Sequence, residues 1–493
     1  MNAIHKQTHI NKNNKAAEVT MMRKAYIAID LGASSGRLIL GSMKEGKLLL
    51  EEIHRFPNEP VYLGNTFYWD FMRIFHEIKQ GFKKAALLKD VEIVSIGIDT
   101  WGVDGAWLDK DGKLLTNPIH YRDKRTSEIM EDFYTKITDS ELYDITGIQK
   151  MSFNTVYQIY HDFSTNEVVR EFGAKWLFTP DLIAYFLTGN TFNEYTIAST
   201  AAMLDAQKRT YSEELFEKLG LPIERMQKIV MPGTVVGTLT KHIQEETGLG
   251  DVQIVAVGSH DTASAVAGTP LESENEIYLC CGTWCLMGME LNDPILEGKA
   301  KELNITNEGG VEGTIRFLKN INGLWFLQQL RKVWNERGLN LSFVDIIEAV
   351  KKSESTLSVD AKDERFLAPL DMEKEIIAYC KEHYDTTLTE IGDIAKAAYE
   401  GLGHLYKEIS GQFEELTGKS IETIRMVGGG IQDQYLCQKV ADITAKKVVA
   451  GPIEASCIGN MLMQMKALGD IQTLQEGREI VKTSFEQKTY HKK

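Results

Sequence analysis

The chain has 493 residues, 43% hydrophobic and 25% charged, enough to bury the cores of two or more domains. A net charge of −15 with no Lys/Arg stripe excludes nucleic acid as the expected partner, while a small phosphorylated ligand stays compatible. No apolar run approaches membrane-spanning length, and six scattered cysteines argue for a reducing compartment, with the cytoplasm as the default.

Residues 1–23, rich in Asn and Lys, read as a disordered leader. Two apolar strands follow, Tyr26 to Leu31 and a second opened by Arg37. Between them Gly32 and Gly36 bracket Ala33, Ser34 and Ser35, a turn whose N–H groups and hydroxyls can cradle an anion. Asp30 beside that turn would repel phosphate unless a cation intervened, which points to a nucleotide with Mg²⁺. An ordinary hairpin with a polar turn fits the same residues equally well.

A third strand is expected over Lys47 to Phe56, then a helix capped by Asp70 with Phe71, Ile74, Phe75, Ile78 and Phe82 on one face. Glu92 to Ile98 is a compact strand ending at Asp99-Thr100-Trp101-Gly102. Residues 122–250 read as mostly helical, including Trp176 to Leu187. Val252 to Val257 is a buried strand running into Gly258-Ser259-His260-Asp261.

After Gly268-Thr269-Pro270 and an acidic connector, strand Ile277 to Cys281 turns through Gly282-Thr283 into Trp284 to Met289. That repeats the opening plan, so the layout suggests two related halves. Later come a strand Thr314 to Leu318, a helix Leu324 to Trp334, and a long helix from about Thr389 to Leu416. Strand Ile424 to Val427 ends in Gly428-Gly429-Gly430, with a helix from Gln432. Gly418-Lys419-Ser420 is no P-loop, because Phe413 stands where the motif needs glycine.

Asp261 is the strongest candidate for chemistry: at a helix start, the helix dipole would keep it ionised to accept a hydroxyl proton. Taken alone, helix capping is the commoner explanation of an aspartate there. His260 reads as a hydrogen-bonded group rather than a base, since no partner to fix its tautomer is evident. Trp101 and Trp284 stack on a ligand or fill the core. Gln328 faces a cleft or solvent, and Asn320 reaches a sugar hydroxyl or closes a turn. Cys280, Cys281 and Cys285 read as buried strand residues rather than metal ligands, since neighbours point to opposite faces.

Together and in order, these segments resemble the FGGY carbohydrate kinases. The resemblance rests on Asp-Leu-Gly-Ala-Ser-Ser-Gly-Arg at 30–37, Gly-Ile-Asp-Thr-Trp-Gly-Val-Asp at 97–104 and Ser-His-Asp-Thr-Ala-Ser-Ala-Val at 259–266. It continues through Cys-Gly-Thr-Trp-Cys-Leu-Met-Gly at 281–288, Asn-Ile-Thr-Asn-Glu-Gly-Gly at 304–310, Leu-Lys-Asn-Ile-Asn-Gly-Leu-Trp at 318–325 and Val-Gly-Gly-Gly at 427–430.

The resemblance implies an α/β fold of two ribonuclease-H-like, actin-like domains closing on a central cleft. It places a sugar-binding domain at 24–268, a nucleotide-binding domain at 275–468 and a tail at 469–493. It implies transfer of the ATP γ-phosphate to the 1-hydroxyl of a ketose, L-rhamnulose first and L-fuculose as rival. An actin-like ATPase without a sugar acceptor is the rival of another class. Asp261 matches the general base. Gly102, His260, Asp261, Thr262 and Asn320 match sugar contacts. Ala33, Ser34, Ser35, Gly36, Arg37, Thr283, Gln328, Gly429 and Gly430 match ATP contacts, and Asp30 matches the carboxylate that holds Mg²⁺ through water. The expected unit is a monomer or homodimer. Cys281, Cys285 and Asp433 depart from the family pattern, and Asp433 puts the adenosine contact there in question.

Overall fold

The computed structural model describes residues 22–367 and 369–493. The expected leader therefore lies outside the described residues as far as residue 21, and Arg23 already opens the first strand.

Six strands form the first sheet: β1 (Arg23–Leu31), β2 (Ser35–Lys44), β3 (Lys47–Pro57), β4 (Val91–Thr100), β5 (Thr234–Thr238) and β6 (Gln253–Ala256). Their spatial order is β5-β6-β4-β1-β2-β3. The β1-β2-β3 meander is antiparallel, whereas β4 and β6 join it in parallel. Strand β1 is central and buried on both sides, so it reads as a continuous apolar run rather than an alternating one. Its Ile27 and Ile29 pack with Ile74, Ile78 and Phe82 of α1 (Phe71–Ala85), and Asp70 caps that helix through Arg73 N at 3.1 Å. The opposite face, with Tyr26 and Ala28, meets a helix from nearly the far end of the chain.

The second sheet has seven strands: β7 (Glu276–Cys281), β8 (Trp284–Leu291), β9 (Thr306–Gly309), β10 (Ile315–Asn322), β11 (Thr423–Val427), β12 (Lys447–Ala450) and β13 (Lys488–Tyr490). The order β9-β10-β8-β7-β11-β12-β13 again sets antiparallel strands beside parallel ones, but β10 takes the place beside β8 and β9 lies outside it. The two halves thus share a hairpin flanked by parallel strands, as their layout in sequence suggests, and differ in strand number and outer order. One face of β7 packs on the long α-helix Ile391–Thr417, whose Gly418 closes it in a left-handed cap.

Residues 122–250 are mostly helical, as expected, with short strands between the helices, and two elements differ from expectation. Trp176 to Leu187 is a strand followed by a helix rather than one helix. Lys175–Phe178 is a strand paired antiparallel with Gly105–Leu108, and α2 (Thr179–Thr188) begins only at Thr179-Pro180. An unbroken buried apolar run carries no period to separate the two states. The expected tail at 469–493 is folded: it forms helix Leu474–Ser484 and contributes β13 to the second sheet.

Asp261 opens α3 (Asp261–Ala267), and α4 (Ala455–Ala467) crosses it closely. An added Cβ at Gly459 would lie 2.7 Å from Gly268 N, and it would overlap Ser264 O outright. Likewise, a Cβ at Gly268 would fall 2.8 Å from Gly459 N. Helix α4 also packs on β1 through Ile458, Met461 and Leu462. Its Gln464 donates to Ile27 O at 2.9 Å, and its Asn460 donates to Asp99 Oδ2 at 2.6 Å. Replacing Gly459 by alanine is expected to cost roughly 1–3 kcal/mol by overpacking and to lower turnover by displacing α3. Urea unfolding and steady-state rates check this.

Candidate active site

The strand ends and turns of both sheets converge on one cleft of about 400 Å³. Ala33, Ser34 and Arg37 line it from the first hairpin, and Thr283 and Gly429 from the second half. Gly102, His260, Asp261, Thr262 and Asn320 line it as well. Ser35, Gly36, Gln328 and Gly430 stand behind that lining. Gly36 lies flat against the Phe56 ring, and a Cβ on Gly430 would meet Cys281 Cβ at 2.7 Å. Gln328 Oε1 accepts from Thr283 Oγ1 at 3.1 Å, so it orients the hydroxyl of the second turn.

Asp261 is not a cap. His260 holds the N-cap position, and the Asp261 carboxylate accepts only from Thr262 Oγ1 at 3.1 Å. Its side chain is 31% exposed, toward the cleft. Burial rather than the helix start governs its carboxyl. Burial pushes its pKa up, His260 opposes that, and the charge of Asp30 adds to the rise. A seven-residue helix offers too small a dipole to offset burial among acids.

Asp30 and Asp99 are register partners on neighbouring parallel strands. Arg37 binds Asp30 Oδ2 through Nε at 3.0 Å and Nη2 at 2.7 Å, and Cys457 Sγ donates to the same oxygen at 3.4 Å. Arg37 also pairs with Glu454 at 2.5 Å. Burial, with the Asp30 charge next, pushes the Asp99 carboxyl well up, and Asp99 Oδ1 has no hydrogen-bond partner. Two adjacent carboxylates with one oxygen unspent fit a hydrated divalent cation that arrives with phosphate, since Mg²⁺ keeps its waters.

The sequence had offered no partner for His260, because its partners lie on another sheet. Arg316 Nη2 donates to His260 Nδ1 at 3.0 Å, and a guanidinium cannot accept. The imidazole proton therefore sits on Nε2, 3.5 Å from Asp261 Oδ1. Asn320 lies within β10 rather than at its end, and its Nδ2 donates to Gln149 Oε1 at 3.1 Å. That bond crosses between the halves, as does Tyr143 OH to Ile305 O at 2.6 Å.

Trp101 lines the cleft against Trp69, their ring centres 3.9 Å apart. Buried Asp104 fixes both, accepting from Trp69 Nε1 at 2.6 Å and Trp101 Nε1 at 3.0 Å. Burial pushes its carboxyl up to about 6, with Trp69, Gln158 and Trp101 opposing. Trp284 and Phe153 face each other edge-on across the cleft at 6.5 Å. Asp433 caps its helix through Leu436 N at 3.0 Å and accepts from Tyr399 OH, so its carboxylate is already engaged. Cys281 and Cys285 are buried in the core, and Cys280 and Cys281 both border the cleft.

Asp99, Asp104, Gln149 and Glu308 were not singled out from sequence. Asp99, Asp104 and Glu308 stand inside motifs quoted for the resemblance, and that was their only signal.

Models of the N-terminal and C-terminal domains of the FGGY family of carbohydrate kinases match residues 25–268 and 277–468. The chain belongs to this family. A rhamnulokinase of Bacteroides thetaiotaomicron is 41% identical over 471 residues, covering 95% of this chain and 96% of the relative. A rhamnulokinase of Bacillus subtilis is 36% identical, covering 94% and 95%. Among solved structures, a xylulose kinase from Lactobacillus acidophilus superposes with a TM-score of 0.78 at 17% identity, covering 95% and 94%. A Plasmodium falciparum glycerol kinase with ADP superposes equally well, at 0.78 and 16% identity, covering 96% and 94%. These distant structures share the two-domain kinase fold, and the family is one of ATP-dependent sugar kinases.

Truncating Asp104 to alanine in this FGGY kinase is expected to cost about 3 kcal/mol, since two buried indole N–H groups lose their acceptor. Chemical denaturation with tryptophan emission as the probe checks this.

Proposed function

We propose that the protein transfers the γ-phosphate of ATP to the 1-hydroxyl of L-rhamnulose, giving L-rhamnulose 1-phosphate and ADP. The observation that carries this reading is Asp261, partly exposed in one cleft that Gly102, His260 and Asn320 line together with Ala33, Ser34 and Thr283. Relatives 35–41% identical over at least 94% of the chain are rhamnulokinases, which supports the choice of ketose.

The sugar oxygen attacks phosphorus as the β–γ bridging P–O bond breaks and ADP leaves. Asp261 takes the hydroxyl proton in that step, a role worth ~10²–10⁴-fold. His260 Nε2–H and Thr262 hold the acceptor, so the attacking oxygen meets the phosphate in line. Turn N–H groups of residues 33–36, with Thr283 and Gly429, bind the phosphates. Asp30 would hold the waters of Mg²⁺, with Asp99 beside it, and the ion would neutralise charge on the transferring group. Contacts between the halves at Gln149–Asn320 and Tyr143–Ile305 keep water out, which favours the sugar over hydrolysis. Among the described residues no helix is long and apolar enough to cross a membrane. We place the reaction in the cytoplasm, where ATP and reduced cysteines persist.

A coupled ADP-release assay across ketoses tests the reading: L-rhamnulose should outrun L-fuculose and others, and ATP hydrolysis indifferent to sugar would overturn it. Asp261→Asn is expected to lose roughly 10²–10⁴-fold in kcat while ATP binding, read by calorimetry, stays. Equal loss of both would mark Asp261 as structural. Because burial raises the Asp261 pKa, kcat/KM should fall on acidification through a midpoint above the ordinary aspartate value of 3.8. A pH–rate profile checks that sign.

A further inference from the structure

Strand β9 carries two polar side chains to which phosphoryl transfer assigns no task. Thr306 and Glu308 are two residues apart, so they share a strand face, and both line the cleft. Their relative exposures are 0% and 5%. Even so, Thr306 Oγ1 and Glu308 Oε2 have no hydrogen-bond partner. Buried polar atoms are normally paired, so two orphans on one ligand-facing strand call for a partner that arrives with the ligand.

Glu308 is also held in place and charged. It stands opposite Arg316 on β10, and Oε2 lies 3.0 Å from Arg316 Nη2. The guanidinium is tied down by its Nε bond to Gly309 O at 2.8 Å. Oε2 also lies 3.3 Å from His260 Nδ1, yet neither neighbour makes a hydrogen bond to it, and a carboxylate oxygen has two lone pairs with which to accept one. Burial opposes the charge of Glu308, but the Arg316 guanidinium leads the groups that outweigh it and hold the carboxyl below its usual range.

We infer that Glu308 is a specificity-determining residue of the ketose site, accepting a hydrogen bond from a sugar hydroxyl other than the one phosphorylated. This rests on the ketose-kinase reading above. The chemistry is one-sided. His260 Nε2 donates into the cleft, and Asp261 is committed to the reacting hydroxyl. A polyhydroxyl ligand must still place its other protons, and an ionised carboxylate accepts only. Glu308 therefore selects for a hydroxyl at one position of the sugar, with Thr306 beside it.

The test is steady-state kinetics of wild type, Glu308→Gln and Glu308→Asp with L-rhamnulose and its singly deoxygenated analogues. Both variants are expected to lose roughly 10- to 100-fold in kcat/KM, mostly through the ketose KM, with the ATP KM unmoved. For one analogue, the one missing the hydroxyl that Glu308 holds, wild type and variant should coincide, because the two deletions remove the same bond. Glu308→Asp keeps the charge beside Arg316, so it carries the test if Glu308→Gln fails to fold. Equal proportional loss on every analogue, or a parallel rise in ATP KM, would overturn the inference. Wild type inert toward every ketose would instead fell the parent reading, before any variant is made.

Discussion

Everything in the cleft depends on two short helices touching backbone to backbone. Helix α3 begins with Asp261, and α4 crosses it where Gly268 and Gly459 leave no room for a side chain. Glycine is required there by close approach rather than by φ, since both positions sit in or beside ordinary right-handed helix. The crossing joins residues nearly two hundred positions apart in sequence. It also seats α4 on β1, with Cys457 at Asp30 and Asn460 at Asp99, so one packing contact sets the spacing of three carboxylates.

That spacing decides the electrostatics. Asp30 and Asp99 are register partners on adjacent strands, and burial raises the carboxyls of Asp99 and Asp261. Arg37 pairs with Asp30, Asn460 donates to Asp99, whose carboxyl burial pushes well up, and Asp261 is left partly exposed with its carboxyl raised. A group in that condition is poised to take a proton from a ligand. Farther along the cleft the balance reverses: Arg316 is buried outright, and it sets the histidine tautomer while pairing with Glu308.

Much of this was legible in the chain by itself. Strands β1, β2 and β7 announce themselves as apolar runs ended by small polar turns, because turns and central strands are governed by local chemistry. The Asp70 cap and the apolar face of α1 were equally plain, since capping and helical period are near-neighbour effects. Motif order pointed to a kinase of two related halves, and to Asp261 within it. Where the pattern was local but ambiguous, as at Trp176 to Phe178, strand and helix could not be told apart until a partner strand was known.

What the amino-acid order could not supply was every property that depends on a distant neighbour. The His260 tautomer comes from Arg316, the rise of the Asp261 pKa from burial and Asp30, and the place of Asp104 from two indoles folded over it. The final residues fold into the second sheet because an exposed β12 edge was there to pair with. Element types and chemical candidates follow from near neighbours along the chain. Charge state, orientation and which groups share a cleft follow from contacts between different elements, which only the tertiary structure creates.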